Sequence, residues 1–238
     1  MKYVIEHRPH LIILCGPFVD AKHSMIDGGS CEDPFDIVFA KIMKSISEAL
    51  QQLPFTHAIV VPSGSRDVHH TFIYPTPPFE EAKSCDRIHM MTDPCMVSVG
   101  GVWFGITSTD ILFHLIKEEI SFPKSGDRLR RLATHLIQQR SFYPLYPPSE
   151  EMNIDYEQLE RVASLDVQPH VLIVPSDLLH FFKEVNGCIV MNPQRLTKGE
   201  GGGVFSRVII KEESTKEKND TSLDDDFAKR FCAEIVRI

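Results

Sequence analysis

The chain has 238 residues, 42% of them hydrophobic, with 25 basic and 33 acidic side chains and a formal charge of −8. This length makes one large domain or two small ones with ample core, and the acidic balance excludes a broad non-specific nucleic-acid surface, which needs a basic stripe. No apolar run is long enough to span a bilayer and no signal peptide is read; six cysteines without a C-x-x-C pair read as reduced intracellular thiols rather than a zinc knuckle.

Met1 to His10 gives no capped start to an element. Leu11 to Cys15 is an apolar run stopped by Gly16-Pro17, so it reads as a buried strand delivering the loop Phe18-Val19-Asp20-Ala21-Lys22-His23. After the punctuation at Gly28-Gly29-Ser30, a helix follows from Phe35. Its core face would be Phe35, Val38, Phe39, Ile42, Ile46, Ala49, Leu50 and Leu53, with Asp33 as N-cap and Pro34 in the first helical position. His57 to Val61 is the next strand, and it too ends in a polar loop, Ser63 to His70. Two strand–loop units separated by a helix are the βαβ signature of a mostly parallel sheet.

Tyr74 to Asp86 is Pro-rich and irregular. Cys95–Val99 and Val102–Thr107 read as a hairpin about Gly100-Gly101. Asp110 and Asp127 head two helices, the second with Arg128, Arg130 and Arg131 on a solvated face; Ser141 to Pro148 is an aromatic-packed loop because its prolines lack donors. A moderate helix spans Tyr156 to Leu165. His170 to Pro175 is a third buried strand, ending at Ser176-Asp177, and Gly187 to Met191 follows as a strand. Lys198 to Gly203 is a glycine-rich turn without the phosphate-cradle order. Val204 to Ile210 alternates as a strand, 211–226 is acidic and apolar-poor and reads as disordered, and Phe227 to Ile238 returns as a closing strand.

The carboxyl ends of strands are where α/β sheets build sites. Three of them carry Asp20 and His23, then Arg66, Asp67, His69 and His70, then Ser176 and Asp177. That layout raises a dinuclear metallophosphoesterase, which needs a bridging carboxylate, a further Asp, an Asn and several His ligands around two metals about 3.5–4 Å apart. The spacing resembles the calcineurin-like phosphoesterase fold, an α/β fold with a layered β-sheet core flanked by helices. Its motifs are Asp-x-His, Gly-Asp-x-x-Asp, Gly-Asn-His-Asp/Glu, a lone His and Gly-His-x-His. Read residue by residue, the ligands are gone. Pro17 stands for the bridging Asp in Gly16-Pro17-Phe18-Val19-Asp20; Ser65 and Arg66 stand for Asn and His; Pro175-Ser176-Asp177-Leu178 takes the place of Gly-His-x-His; and the Asp-x-His strand is absent. Proline offers no side-chain ligand, and arginine is a fixed cation with no acceptor. The site therefore reads as inactive and metal-free, with no cofactor.

This pattern of loss resembles the B-subunit family of the DNA polymerase alpha–primase complex. The matching words are Gly16 to His23, Arg66 to His70, Gly105 to His114, Gln139 to Pro148, Asn192 to Gly199 and Val236-Arg237-Ile238. The departures are a loop one residue longer at Pro62 to Arg66, Gln194 in place of Gly, Val204 in place of Thr, and the acidic stretch 211–226. The resemblance implies that residues 1–238 are the inactivated phosphoesterase-like domain, without the family's upstream oligonucleotide-binding-type domain. It implies a nuclear, non-catalytic scaffold in the initiation of DNA replication. Its partners would be the C-terminal zinc-binding domain of the polymerase alpha catalytic subunit directly, and primase and DNA through the complex, with no membrane. On this reading Asp20, His23, Asp67, His69 and His70 are either interface residues or a retained network satisfying loop backbone groups, the second favoured because buried loops must be hydrogen-bonded. The alternatives are an active metal-dependent phosphodiesterase or exonuclease of the same fold, and a fragment that does not function alone.

Overall fold

A computed structural model describes residues 1–68, 70–80, 85–122, 126–198, 201–212 and 227–238. In chain order the elements are α1 (Lys2–His7), β1 (Leu11–Cys15), α2 (Ser24–Asp27), α3 (Phe35–Gln51), β2 (His57–Val61), β3 (Ile88–Met90), β4 (Cys95–Val99), β5 (Val102–Ile106), α4 (Ile111–Glu118), α5 (Arg128–Gln138), α6 (Tyr156–Val162), β6 (Val171–Ile173), β7 (Phe181–Val185), β8 (Cys188–Asn192), β9 (Thr197–Lys198), β10 (Gly201–Gly202), β11 (Val204–Ile210), α7 (Phe227–Arg230) and β12 (Phe231–Arg237). They divide into two compact units, residues 1–95 with 150–162, and residues 96–149 with 163–238.

The first unit is built on a parallel sheet in the order β1-β2-β3, with Leu11 opposite His57 and Ala58 opposite Ile88. The crossover helix α3 repeats apolar residues at three and four, so Phe39, Met43, Ile46 and Leu50 fall on one face. They pack with Val19, Ala58, Val60, Phe79 and Ile88 into one core. The start of α3 differs from the expectation. Pro34 is the N-cap and makes no side-chain cap bond, Asp33 accepts instead from Lys41, and Phe35 and Ile37 face solvent. Its far end is closed by Arg87, whose guanidinium donates to the carbonyls of Leu50, Leu53 and Thr56; a cation there also complements the helix dipole. The strand β3 and the helices α1 and α2 lie where no element was expected, each six residues or fewer and too short to show a period.

The second unit carries a five-stranded sheet in the order β4-β5-β6-β8-β7. The strands β5, β6 and β8 run parallel, and β7 closes one edge antiparallel to β8. Gly100 and Gly101, at φ 57° and 80°, turn the β4–β5 hairpin as expected. Asp110 caps α4 by accepting from the Phe113 N–H, and Asp127 caps α5 by accepting from the Arg130 N–H. The arginines of α5 are not simply a solvated face. Arg128 and Arg131 both reach Glu119, whose side chain is only 7% exposed. The Arg131 hydrogen bond holds the Glu119 carboxyl below its ordinary value of 4.5. A group lowered in the fold stabilises above its unfolded value and loses that effect as pH falls through the native one. Glu119→Gln is therefore expected to lower the melting temperature at pH 7 by a few degrees, and the gap from the parent should close as pH falls below 4.5.

In the 141–148 loop Phe142 and Tyr143 are buried, while Tyr146 is 86% exposed. The Tyr143 hydroxyl lies 3.2 Å from His114 Nδ1 and accepts from the Ser149 N–H at 3.1 Å. Of the glycine-rich stretch, residues 199 and 200 lie outside the described residues, and β9 and β10 flank them as a two-residue antiparallel ladder. The strands β11 and β12 pair along their whole length, from Val204 opposite Arg237 to Ile210 opposite Phe231. The closing strand begins only at Phe231, after the short α7. Of the stretch read as a disordered acidic loop, 213–226 lies outside the described residues.

Candidate functional site

In the first unit, β1 and β2 run parallel and deliver their loops side by side. Asp67 organises them. It is 3% exposed, and its Oδ1 accepts from the N–H groups of Phe18 at 2.5 Å and Val19 at 3.0 Å while its Oδ2 accepts from Ser63 N–H at 2.9 Å. The two loops also join through their backbones. Ala21 N–H donates to Arg66 O at 2.8 Å, Val68 N–H donates to Val19 O at 3.1 Å, and Asp20 and Asp67 form an isolated antiparallel bridge. Gly16 is required by this closeness. A Cβ there would lie 2.5 Å from Asp67 Oδ2 and 2.7 Å from Ser63 N, so the chain passes with no room for a side chain. Burial pushes the Asp67 carboxyl above its ordinary 3.8, against the pull of its three N–H donors and of nearby His70.

Asp20 is held by Arg66. The guanidinium Nε donates to Oδ1 at 3.2 Å and Nη2 donates to Oδ2, with both side chains largely covered. Oδ1 also accepts from Lys22 N–H at 3.0 Å. His23 turns its Nδ1 to the Met25 N–H and caps the short α2. His70 packs against Phe79 in an edge-type ring contact, 5.0 Å between centroids. Pro17 offers no polar side-chain atom to the site. His69 lies outside the described residues.

Ser176 and Asp177 belong to the second unit, where they follow β6. Asn192, the fully buried last residue of β8, organises that corner. Its Oδ1 accepts from the N–H groups of Ser176 and Gln194, both at 2.9 Å, and its Nδ2 donates to the carbonyls of Leu178 and Leu179. Ser176 Oγ accepts from Leu178 N–H, Asp177 N–H donates to Asp110 Oδ2 at 3.0 Å, and the Asp177 carboxylate is paired with Arg195. The roles of Asn192 and Arg195 were not legible in the sequence, where nothing local marks an asparagine at the end of an apolar strand as a hub. The second oxygen of Asp110 was hidden behind its role as a helix cap.

The phosphoesterase-like fold implies a two-metal centre, and the residues present do not fit one. The Asp67 oxygens are taken up by three backbone donors, the Asp20 oxygens by a guanidinium, and Pro17 and Arg66 contribute no ligand. Among the described residues no group of three or more His, Cys, Asp or Glu side chains is placed to hold an ion.

These features define a class: a mixed α/β, phosphoesterase-like protein whose strand-end loops are locked by their own polar groups. The family model for the B subunit of DNA polymerases alpha and epsilon matches residues 1–183. The chain belongs to this alpha/epsilon B-subunit family. Among curated relatives, each named as the B subunit of DNA polymerase alpha, the rat protein is 42% identical over 98% of this chain and 39% of its own length. The mouse protein is 45% identical over 86% of this chain and 34% of its own length, and that of Drosophila melanogaster 38% identical over 88% and 34%. The chain thus spans about two fifths or less of the relatives it matches.

Proposed function

We propose that this chain is a non-catalytic scaffold subunit of the DNA polymerase alpha–primase complex, acting in the nucleus in the initiation of DNA replication. It would correspond to the phosphoesterase-like domain of a longer subunit, with an oligonucleotide-binding-type domain upstream. Its direct partner is the C-terminal zinc-binding domain of the polymerase's catalytic subunit. Primase and DNA are reached through the complex. The observation that carries this reading is the spending of Asp20, Arg66 and Asp67 on one another's loops, in a chain that aligns with the rat polymerase alpha B subunit over 98% of its residues. A carboxylate that activates a metal or a water must turn its lone pairs to the reacting centre; these two turn theirs to the protein. The charge of −8 suits a protein partner better than a phosphate backbone. No described helix is long and apolar enough to cross a membrane.

The test of the non-catalytic part is metal analysis and a phosphodiester hydrolysis assay on the same purified sample, with and without added manganese. The expected result is less than a tenth of a metal ion per chain and no turnover above buffer. Stoichiometric manganese, zinc or iron, with hydrolysis abolished by Asp20→Ala, would overturn it in favour of an active phosphodiesterase.

A further inference from the structure

The two loops of the first unit pose an electrostatic problem. Asp20 and Asp67 are backbone partners in an isolated bridge, so two carboxyl groups are anchored on directly paired residues, one of them buried. Each carboxyl group drawn out of water into these loops needs a partner, which a phosphoesterase supplies with metal cations. Here the compensation comes from the chain. Asp67 receives three N–H groups, which stabilise a carboxylate as hydrogen-bond donors without adding a charge. Asp20 receives a full positive charge from Arg66, delivered in the two-pronged geometry that suits a carboxylate. The same Arg66 accepts at its carbonyl from Ala21 N–H, so one residue fastens the β1 loop through both side chain and backbone.

Resting on the non-catalytic reading above, we propose that Arg66 is the built-in cation of this site: its guanidinium takes over the electrostatic and tethering role that a metal ion would play between the β1 and β2 loops. The loop pair is then closed permanently and independently of any divalent ion. A metal can be stripped or exchanged, whereas a guanidinium remains charged at every physiological pH. The arrangement supplies a fixed surface where an enzyme keeps an open one. Lysine is no substitute, because a single ammonium cannot span both oxygens in the plane of the carboxylate.

A double-mutant cycle tests this. Thermal melts of the chain would compare the parent with Arg66→Met, Asp20→Asn and the double variant. Each single change is expected to lower the melting temperature by about 3–8 °C, and the double variant should lose clearly less than the sum of the two single losses, because both singles break the same ion pair. Amide hydrogen exchange should quicken at residues 18–21 and 66–68 in both singles. Arg66→Lys, milder and kept as the variant certain to retain charge, should fall between the parent and Arg66→Met. Addition of a chelator to the parent should leave its melting temperature unchanged. Additive single effects, or singles that melt like the parent, in a metal-free protein would overturn the built-in cation and leave the scaffold reading standing. A bound metal whose removal lowers the parent's melting temperature would overturn both.

Discussion

Asp67→Ala is expected to lower the unfolding free energy by about 3–5 kcal/mol, the largest loss of any substitution in the strand-end loops. The change leaves the N–H groups of Phe18, Val19 and Ser63 without acceptors in a place where water has no entry, the parent side chain being 3% exposed. Each stranded donor costs about 1–3 kcal/mol, and partial collapse of the loops recovers some of it. Asp67→Asn is nearly isosteric and still loses, because its amide nitrogen, a donor, must face an N–H that a carboxylate oxygen accepted from. Urea denaturation of parent and variants reads both effects. The same pair of proteins tests the pH behaviour. Burial raises the native carboxyl above 3.8, so its contribution to stability is complete below that unfolded value and is lost as pH rises through the raised native one. The stability advantage of the parent over Asp67→Asn should therefore shrink, not grow, as pH is taken upward from below 3.8.

Asn192→Ala is expected to cost about 2–4 kcal/mol in the second unit. The residue is fully buried and makes four bonds, two received from N–H groups of Ser176 and Gln194 and two given to carbonyls of Leu178 and Leu179. Its removal opens a small cavity and strands donors and acceptors of both loops together. Asn192→Asp discriminates the mechanism. It keeps the volume and both acceptor bonds, replaces two donated bonds with repulsion from the Leu178 and Leu179 carbonyls, and buries a charge. It should be at least as damaging as alanine at neutral pH and recover in acid. A variant that melted like the parent would show that the corner is held by packing alone.

What was legible in the chain follows from how each element is encoded. The strands β1, β2 and β6 are short apolar runs bounded by proline or glycine, and α3 repeats its apolar residues over 17 positions, so pattern alone placed them. The strand β7 was missed because Lys183 and Glu184 interrupt its apolar residues, although a hairpin signal was present. Asn186-Gly187 adopts positive φ at both positions, 50° and 80°, the dipeptide that two-residue hairpins favour. The N-cap of α3 was placed one residue early because an aspartate before a proline looks like a cap whether or not its carboxylate turns to the helix, and here it turns to Lys41.

The site was legible in a different sense. Its residues were found through the positions that phosphoesterase loops occupy, and the absence of ligand chemistry at Pro17 and Arg66 was plain from side-chain chemistry. What those positions do instead was not. That Arg66 pairs with Asp20 rather than with Asp67, its sequence neighbour, depends on the bridge between the loops. That Asp67 is consumed by the backbone of the β1 loop depends on Gly16 allowing the two chains to touch. Both are contacts across more than 40 residues of sequence, which no local pattern encodes.

The role proposed for the chain is to hold a polymerase together rather than to cut a phosphodiester. Its most direct test is co-purification of the tagged chain with the C-terminal zinc-binding domain of the DNA polymerase alpha catalytic subunit, read by size-exclusion chromatography with light scattering. A one-to-one complex is expected, formed equally by the parent and by His70→Ala. No complex at micromolar concentrations, whether the chain is tested alone or joined to the upstream oligonucleotide-binding-type domain proposed for it, would contradict that role.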